Sequence, residues 1–361
     1  MKKQVLLSLV VLFALALASC APAAAPAEAP AAEAPAEEAP VVEAPVEEAP
    51  AEEPIKVGLI TKTETNPFFV KMKEGAEAEA KAKGAELLSA AGAFDGDNEG
   101  QVTAIENMVA AGVKGILITP NDAKAIIPAI KKAQDAGVLV IALDSPLDPV
   151  DATDALFATN NFVAGKLGGE YAKAAMAGKT PIIAALDAAP GNPVAVLRHN
   201  GFVLGYGLME TDDTMDDYVS VPEIVCSGDS RGDQAMGQTV MENCLSQNPD
   251  INVVYTINEP AAAGAYTALV AAGKENDVLI VSIDGGCEGV RNVKAGKLAA
   301  TSQQYPLVMA SMGVDAVIKY AMTGEKASGY VDTGVTLITD LPMPGLDSKD
   351  SQYGLDNCWG E

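Results

Sequence analysis

From Ile55 onward the chain alternates short, β-branched apolar runs with longer alanine-rich amphipathic segments, a pattern that dictates parallel strands flanked by helices. The strand candidates are 55–60 (IKVGLI), 85–90, 115–119, 138–143, 155–159, 181–186, 219–226, 252–257, 278–283 and 298–303. Helices fill the gaps. In 67–83, Phe69, Met72, Ala76 and Ala80 share one face, with Asn66 as N-cap, Pro67 at the first helical position and Gly84 as the stop. Similar stops stand at Gly112, Gly137, Gly178, Gly273 and Gly296. Ten strands exceed one ordinary doubly wound sheet. The pattern therefore predicts an α/β chain of two sheets with about five strands each, divided near 158–160 ahead of Asn160-Asn161.

In open parallel sheets a ligand crevice lies beyond the carboxyl ends of the strands. The residues there are Asp144, Asp187, Asn258, Asp284, and Gln303 with Gln304. Each has a local explanation: Asn258 caps a helix before Glu259-Pro260, while Asp284 and Asp144 open turns before Gly285-Gly286 and Ser145-Pro146. As a set on one rim they fit a polyhydroxylated ligand. Carboxylates accept from vicinal hydroxyls, amides accept and donate, and Arg198 donates to several oxygens. The first strand is followed by TETNPFF, not by the glycine-rich turn that lets backbone approach a phosphate. Asn66 there both caps a helix and reaches a hydroxyl, and Phe68 and Phe69 offer apolar faces to the C–H side of a sugar ring. Helical phase assigns Phe69 to the core and Phe68, one position out, to the ligand.

Other chemistries find little support. The single histidine, His199, reads as a surface or capping residue and removes Ser-His-Asp and multi-histidine metal sites. No phosphate-cradling GxxxxGK[ST] occurs. Asp144 and Asp284 are paired carboxylates of the kind glycosidases use, but nothing in the sequence marks either as an acid with a raised pKa. The expectation is a protein without catalytic residues, cofactor or metal. Asp95, Asp97, Glu99, Gly100 and Glu106 have calcium-loop spacing. Yet Val102, Ile105 and Val109 read as helix through its second half, with Asn98 as N-cap. Asp212, Asp213, Asp216 and Asp217 read as a solvated loop.

Ahead of the fold stand two segments of another kind. Lys2-Lys3, the apolar run Val5 to Ala18 and the small residues before Cys20 form a secretion signal over 1–19, too short to span a membrane. Leu17-Ala18-Ser19-Cys20 resembles a bacterial lipobox, in which Cys20 becomes a lipid-bearing N-terminus. Residues 20–54 repeat proline at 30, 35, 40, 45 and 50 among nine glutamates, and cannot bury a core. They read as a disordered tether reaching at most about 100 Å in polyproline II form. With a formal net charge of −25, the chain is a poor partner for nucleic acid or anionic ligands. The remaining cysteines, Cys226, Cys244, Cys287 and Cys358, are even in number in an oxidising compartment and predict two disulfides. Connectivity stays open, although Cys226 at a strand end and Cys244 late in the returning helix are expected to lie far apart.

NPFF with its following helix, then ITPND (118–122), LDS (143–145), TIN (256–258), SIDGG (282–286) and LAATSQQYP (298–306), resemble the ribose-type (type I) periplasmic sugar-binding proteins of ABC importers. TKTETNPFF, NEPAAAGAY, DGGC and the final CWG are similar to fructose-binding members. The resemblance implies two doubly wound lobes joined by a three-strand hinge and closing on a monosaccharide: 55–158 plus 305–333, and 159–304 plus 334–361. It implies ligand contacts at Asn66, Phe68, Phe69, Asp144, Arg198, Asn258, Asp284 and Gln304, with Thr119, Asp187 and Arg231 in a second tier. Ribose binders carry arginine where Ser145 stands and asparagine where Thr119 stands, which favours another neutral sugar, with Arg231 as a substitute guanidinium. The implied protein is a monomeric, lipid-anchored extracytoplasmic subunit that docks on importer permeases. A sensor subunit presenting sugar to a membrane receptor would use the same fold.

Overall fold

In the computed structural model, which describes residues 53–190, 192–210 and 217–360, the apolar runs form two six-stranded sheets. The signal, Cys20, nearly all of the tether, and Asp212, Asp213 and Asp216 lie outside the described residues. The first sheet is built from β1 (Lys56–Thr61), β2 (Glu86–Ala91), β3 (Gly115–Ile118), β4 (Leu139–Leu143) and β5 (Ala155–Ala158). The second uses β6 (Ile183–Asp187), β7 (Ile224–Asp229), β8 (Val253–Thr256), β9 (Leu279–Asp284) and β10 (Ala300–Gln303). All these neighbours pair in parallel. Every residue of β3, β4, β5, β8 and β10 is buried, as expected of strands with helices on both faces.

Two further strands complete the edges: β11 (Gly329–Asp332) beside β5, and β12 (Thr336–Ile338) antiparallel to β10. The expectation of five strands per sheet is corrected to six. The sequence concealed both strands for physical reasons. No residue of β11 is buried, so it carries no apolar run, and β12 is only three residues long.

The connecting helices are α1 (Pro67–Ala82), α2 (Asn98–Ala110), α3 (Ile127–Asp135), α4 (Asn161–Met176), α5 (Pro193–Tyr206), α6 (Gln234–Gln247), α7 (Glu259–Ala271), α8 (Cys287–Lys294), α9 (Pro306–Thr323) and α10 (Ser351–Asn357). The chain passes from one sheet to the other three times: between β5 and α4, between β10 and α9, and between β11 and β12. Asp97 caps α2, one residue before the expected Asn98, with its carboxylate accepting from the backbone of Ala93 and Gly100. Those hydrogen bonds hold Asp97 below the usual carboxylate range. The acids of the calcium-like spacing are thus used in part as a helix start.

Strand β7 begins after Pro222, which has no N–H to give to a ladder, and not at Val219. This shift corrects the cysteine reading. Cys226 lies near the start of β7, and α6 returns along that strand to bring Cys244 level with it. The two form a disulfide with their Cα atoms 5.5 Å apart. Cys287 and Cys358 form the second.

Helices α4 and α5 touch backbone to backbone through Gly165 and Gly169 on one and Gly201 and Gly205 on the other. A methyl group on Gly201 would fall on the carbonyl oxygen of Phe162, and one on Gly165 on that of Arg198. Gly201→Ala is therefore expected to cost about 1–3 kcal/mol of stability by forcing the helices apart. Urea unfolding measures this, and an unchanged midpoint would contradict the close approach.

Candidate functional site

The carboxyl ends of the strands in both sheets border one cavity of about 450 Å³, within the usual range for small-molecule sites. From the first sheet's side come Asn66, Phe68 and Asp144; from the second, Arg198, Asn258 and Asp284; and from the crossing after β10, Gln304. Arg231 stands exposed on the rim. Three of the residues implied by the resemblance lie elsewhere. Phe69, on α1, is buried in the core and does not line the cavity, whereas Phe68, equally buried in the same cluster, does border it. Thr119 is fully buried, with its hydroxyl 3.5 Å from the Met72 sulfur. Asp187 sits behind the wall and is occupied by His199.

The two cleft aspartates share an unusual backbone. Asp144 directly follows β4 at φ 64° and Asp284 ends β9 at φ 134°, conformations that favour glycine. Such strain persists only where the surroundings over-determine it, and it collects at ligand sites. Asp144 accepts a hydrogen bond from the Ser145 hydroxyl at 2.9 Å. Asp284 Oδ1 accepts from Arg198 Nη1 at 3.1 Å and from Gln304 Nε2 at 2.8 Å. Arg198 also donates to the carbonyl of Ile257 and, through Nε, to Asn161 Oδ1, both at 2.8 Å. Burial pushes the Asp284 carboxyl up to about 6 against the pull of Arg198, and the Asp144 charge adds to the rise. Nothing in the local sequence marks this raised carboxyl, because the burial that causes it is tertiary.

The amides divide between structure and ligand. Both ends of Asn258 serve the fold: its oxygen accepts from Ala261 N–H and caps α7, and its nitrogen donates to the Gly232 carbonyl. Asn66 caps α1 through Phe68 N–H at 2.9 Å. Gln304 is buried with its nitrogen on Asp284, while its Oε1 has no partner among the described residues. A buried acceptor left unmade costs free energy unless a donor arrives.

Several contributors escaped the sequence reading. Glu259, read only as the residue after a cap, is buried and accepts from Gly285 N–H, Gly286 N–H and the Thr301 hydroxyl. It thereby clamps the turn that carries Asp284. Burial, and then the Asp284 charge, push Glu259 up to about 8 despite those hydrogen bonds. Gln101, on the inner face of α2, holds the ends of β1 and β3 by donating to the carbonyls of Thr61 and Thr119. A glutamine in an amphipathic helix ordinarily signals surface, so neither residue announced itself.

His199 is neither a surface nor a capping residue. Only 3% exposed, it places Nδ1 2.9 Å from Asp187 and Nε2 3.0 Å from the Val219 carbonyl. Burial pushes its pKa down, but the Asp187 hydrogen bond and charge outweigh that and the net shift is upward. The pair ties α5 to β6 and so sets the position of Arg198.

Two α/β halves, three passages between them and a polar cavity at the strand ends define a type I periplasmic binding protein. The chain belongs to the periplasmic binding protein domain family, whose model matches residues 57–326. It is 31% identical to the ribose import binding protein of Salmonella typhimurium over 284 residues, 78% of this chain and 90% of that one. To the D-ribose/D-allose-binding protein of Pseudomonas aeruginosa it is 30% identical over 298 residues, 80% and 89% of the two chains. The crystal structure of an ABC transporter periplasmic solute-binding protein from Actinobacillus succinogenes with bound D-allose superposes with a TM-score of 0.71 at 29% identity. That match covers 79% of this chain and 97% of the other. These relatives are binding components of transport systems, not enzymes.

Proposed function

We propose that this protein is the extracytoplasmic binding subunit of an ABC sugar importer and captures one neutral monosaccharide, a ribose-like sugar or fructose. The observation that carries the reading is Gln304 Oε1, a buried acceptor without a partner among the described residues, beside two backbone-strained aspartates. A sugar hydroxyl supplies the donor that this oxygen lacks, and neighbouring hydroxyls donate to Asp144 and Asp284. Arg198, the buried cation of the cavity, is already balanced by Asp284, so a charged ligand gains little there. The names of the relatives support a monosaccharide. The halves 55–158 plus 305–333 and 159–304 plus 334–361 close on the sugar because both contact it, and the closed form docks on the permease as a monomer. A lipid on Cys20 and the acidic tether keep the domain near the membrane.

Melting of the purified protein against D-ribose, D-allose, D-fructose, D-xylose, D-galactose and D-glucose tests the proposal. One of these sugars at about 100 times its Kd is expected to stabilise the fold by about 2.7 kcal/mol. If none of them shifts the midpoint, the monosaccharide reading fails.

A further inference from the structure

We propose that the C-terminal strap Cys358-Trp359-Gly360 is part of the ligand site, and that Trp359 packs with Phe68 against the C–H face of the bound sugar. The inference rests on the monosaccharide reading above and adds a binding residue to it. Trp359 is the only tryptophan in the chain and, like Gly360, lines the same cavity as Asp144, Asp284 and Gln304. It is 7% exposed. Its ring meets Phe68 at a centroid distance of 5.1 Å and an interplanar angle of 78°. Two rings set nearly at right angles at the wall of one cavity form a corner. Such a corner suits the puckered apolar side of a sugar ring better than a single flat wall.

The strap is built to hold that ring in place. Here the Cys287–Cys358 disulfide fastens the strap to the start of α8, three residues beyond Asp284. The Trp359 carbonyl accepts from Cys287 N–H at 3.0 Å, and its Nε1 donates to the Gln304 carbonyl at 3.1 Å. Gly360, at φ 77°, lies against Pro67, where a side chain would overlap the proline ring. The strap thus touches the start of α1 on one half, the start of α8 on the other, and the crossing segment between them. The indole Nε1 of Trp359 fixes the backbone of Gln304, whose side-chain Oε1 has no partner among the described residues. The disulfide and its cysteines are positioning elements, and Trp359 is the contact.

Because Trp359 is the sole tryptophan, the full chain reports on its own strap. Selective excitation of tryptophan during titration with D-ribose, D-allose and D-fructose is expected to give a saturable emission change, with the Kd found by calorimetry. Trp359→Ala is expected to weaken binding about tenfold or more, and Trp359→Phe to recover most of it. Cys287→Ser with Cys358→Ser is expected to weaken binding with unchanged circular dichroism, while acrylamide quenching of Trp359 rises. A sugar that binds by calorimetry without moving the emission, or that binds Trp359→Phe no better than Trp359→Ala, overturns this inference alone. If none of the three binds the native chain by calorimetry, the monosaccharide reading falls and this inference with it.

Discussion

Replacing Arg198 with alanine is expected to cost the fold about 3–5 kcal/mol and to abolish measurable sugar binding together. Arg198 is 5% exposed, and its guanidinium serves Asp284, the Ile257 carbonyl and Asn161 at once. Alanine leaves a buried carboxylate uncompensated and two acceptors unmade, and the loss of compensation weighs more than the pair itself contributes. Asp284→Asn breaks the same pair from the other side: the Arg198 cation stays buried without its carboxylate, so stability is expected to fall by a similar few kcal/mol, about 3–5, and sugar affinity by about 100-fold. Adding Asp284→Asn to Arg198→Ala is then expected to restore much of the lost stability and none of the binding. Urea midpoints for the four proteins close the cycle. A loss below about 1 kcal/mol in Arg198→Ala would show that the buried pair is not what fixes this wall.

The second large effect is an opposed pH dependence of stability and of binding. Asp284 rises from 3.8 to about 6 on folding, and Glu259 from 4.5 to about 8. Between those limits the native state holds more protons than the unfolded one, so stability is greatest at low pH and is lost as pH rises. His199 is also raised and acts in the same direction. Asp97 and Asp122, whose pKa values are lowered, act only at more acid pH. The ligand-free protein should therefore lose about 2–4 kcal/mol between pH 5 and pH 8, the carboxylates titrating as a coupled pair. Binding runs the other way. If, as proposed, the ionised Asp284 accepts sugar hydroxyls while holding Arg198, affinity is expected to fall roughly tenfold per unit below pH 6. Calorimetry from pH 4.5 to 8 reads both. An affinity that is flat with pH, or that keeps its slope in Asp284→Asn, removes Asp284 from the ligand.

Local rules carried much of the architecture. The period of apolar residues announced ten of the strands, and Asn66-Pro67 with Gly84 bounded α1 nearly to the residue. They failed where the signal was weak or belonged to pairing. Strand β11 is too exposed to carry an apolar run, and the bend at Pro222 moved β7 far enough to reverse the expectation for Cys226 and Cys244. Among the cleft residues, strand-end position found Asp144, Asn258, Asp284 and Gln304, because a parallel sheet aims its strand ends at one rim. Phase did not part Phe68 from Phe69 by burial, since both are 6% exposed in one cluster; only Phe68 also borders the cavity.

Composition and order along the chain thus determined the class of fold, the acidic surface, and the short polar residues that end the strands. Those properties are local, set by periodicity, capping and turn chemistry within a few residues of sequence. Only the tertiary structure decided which of those residues meet, that Glu259 and Gln101 are buried as clamps, and that Trp359 returns from the far terminus to stand against Phe68. Contacts across hundreds of residues, and the desolvation that raises Asp284, follow from how packed elements close upon one another. No local pattern encodes that closure, because its free energy comes from surfaces that exist only once both sheets have formed.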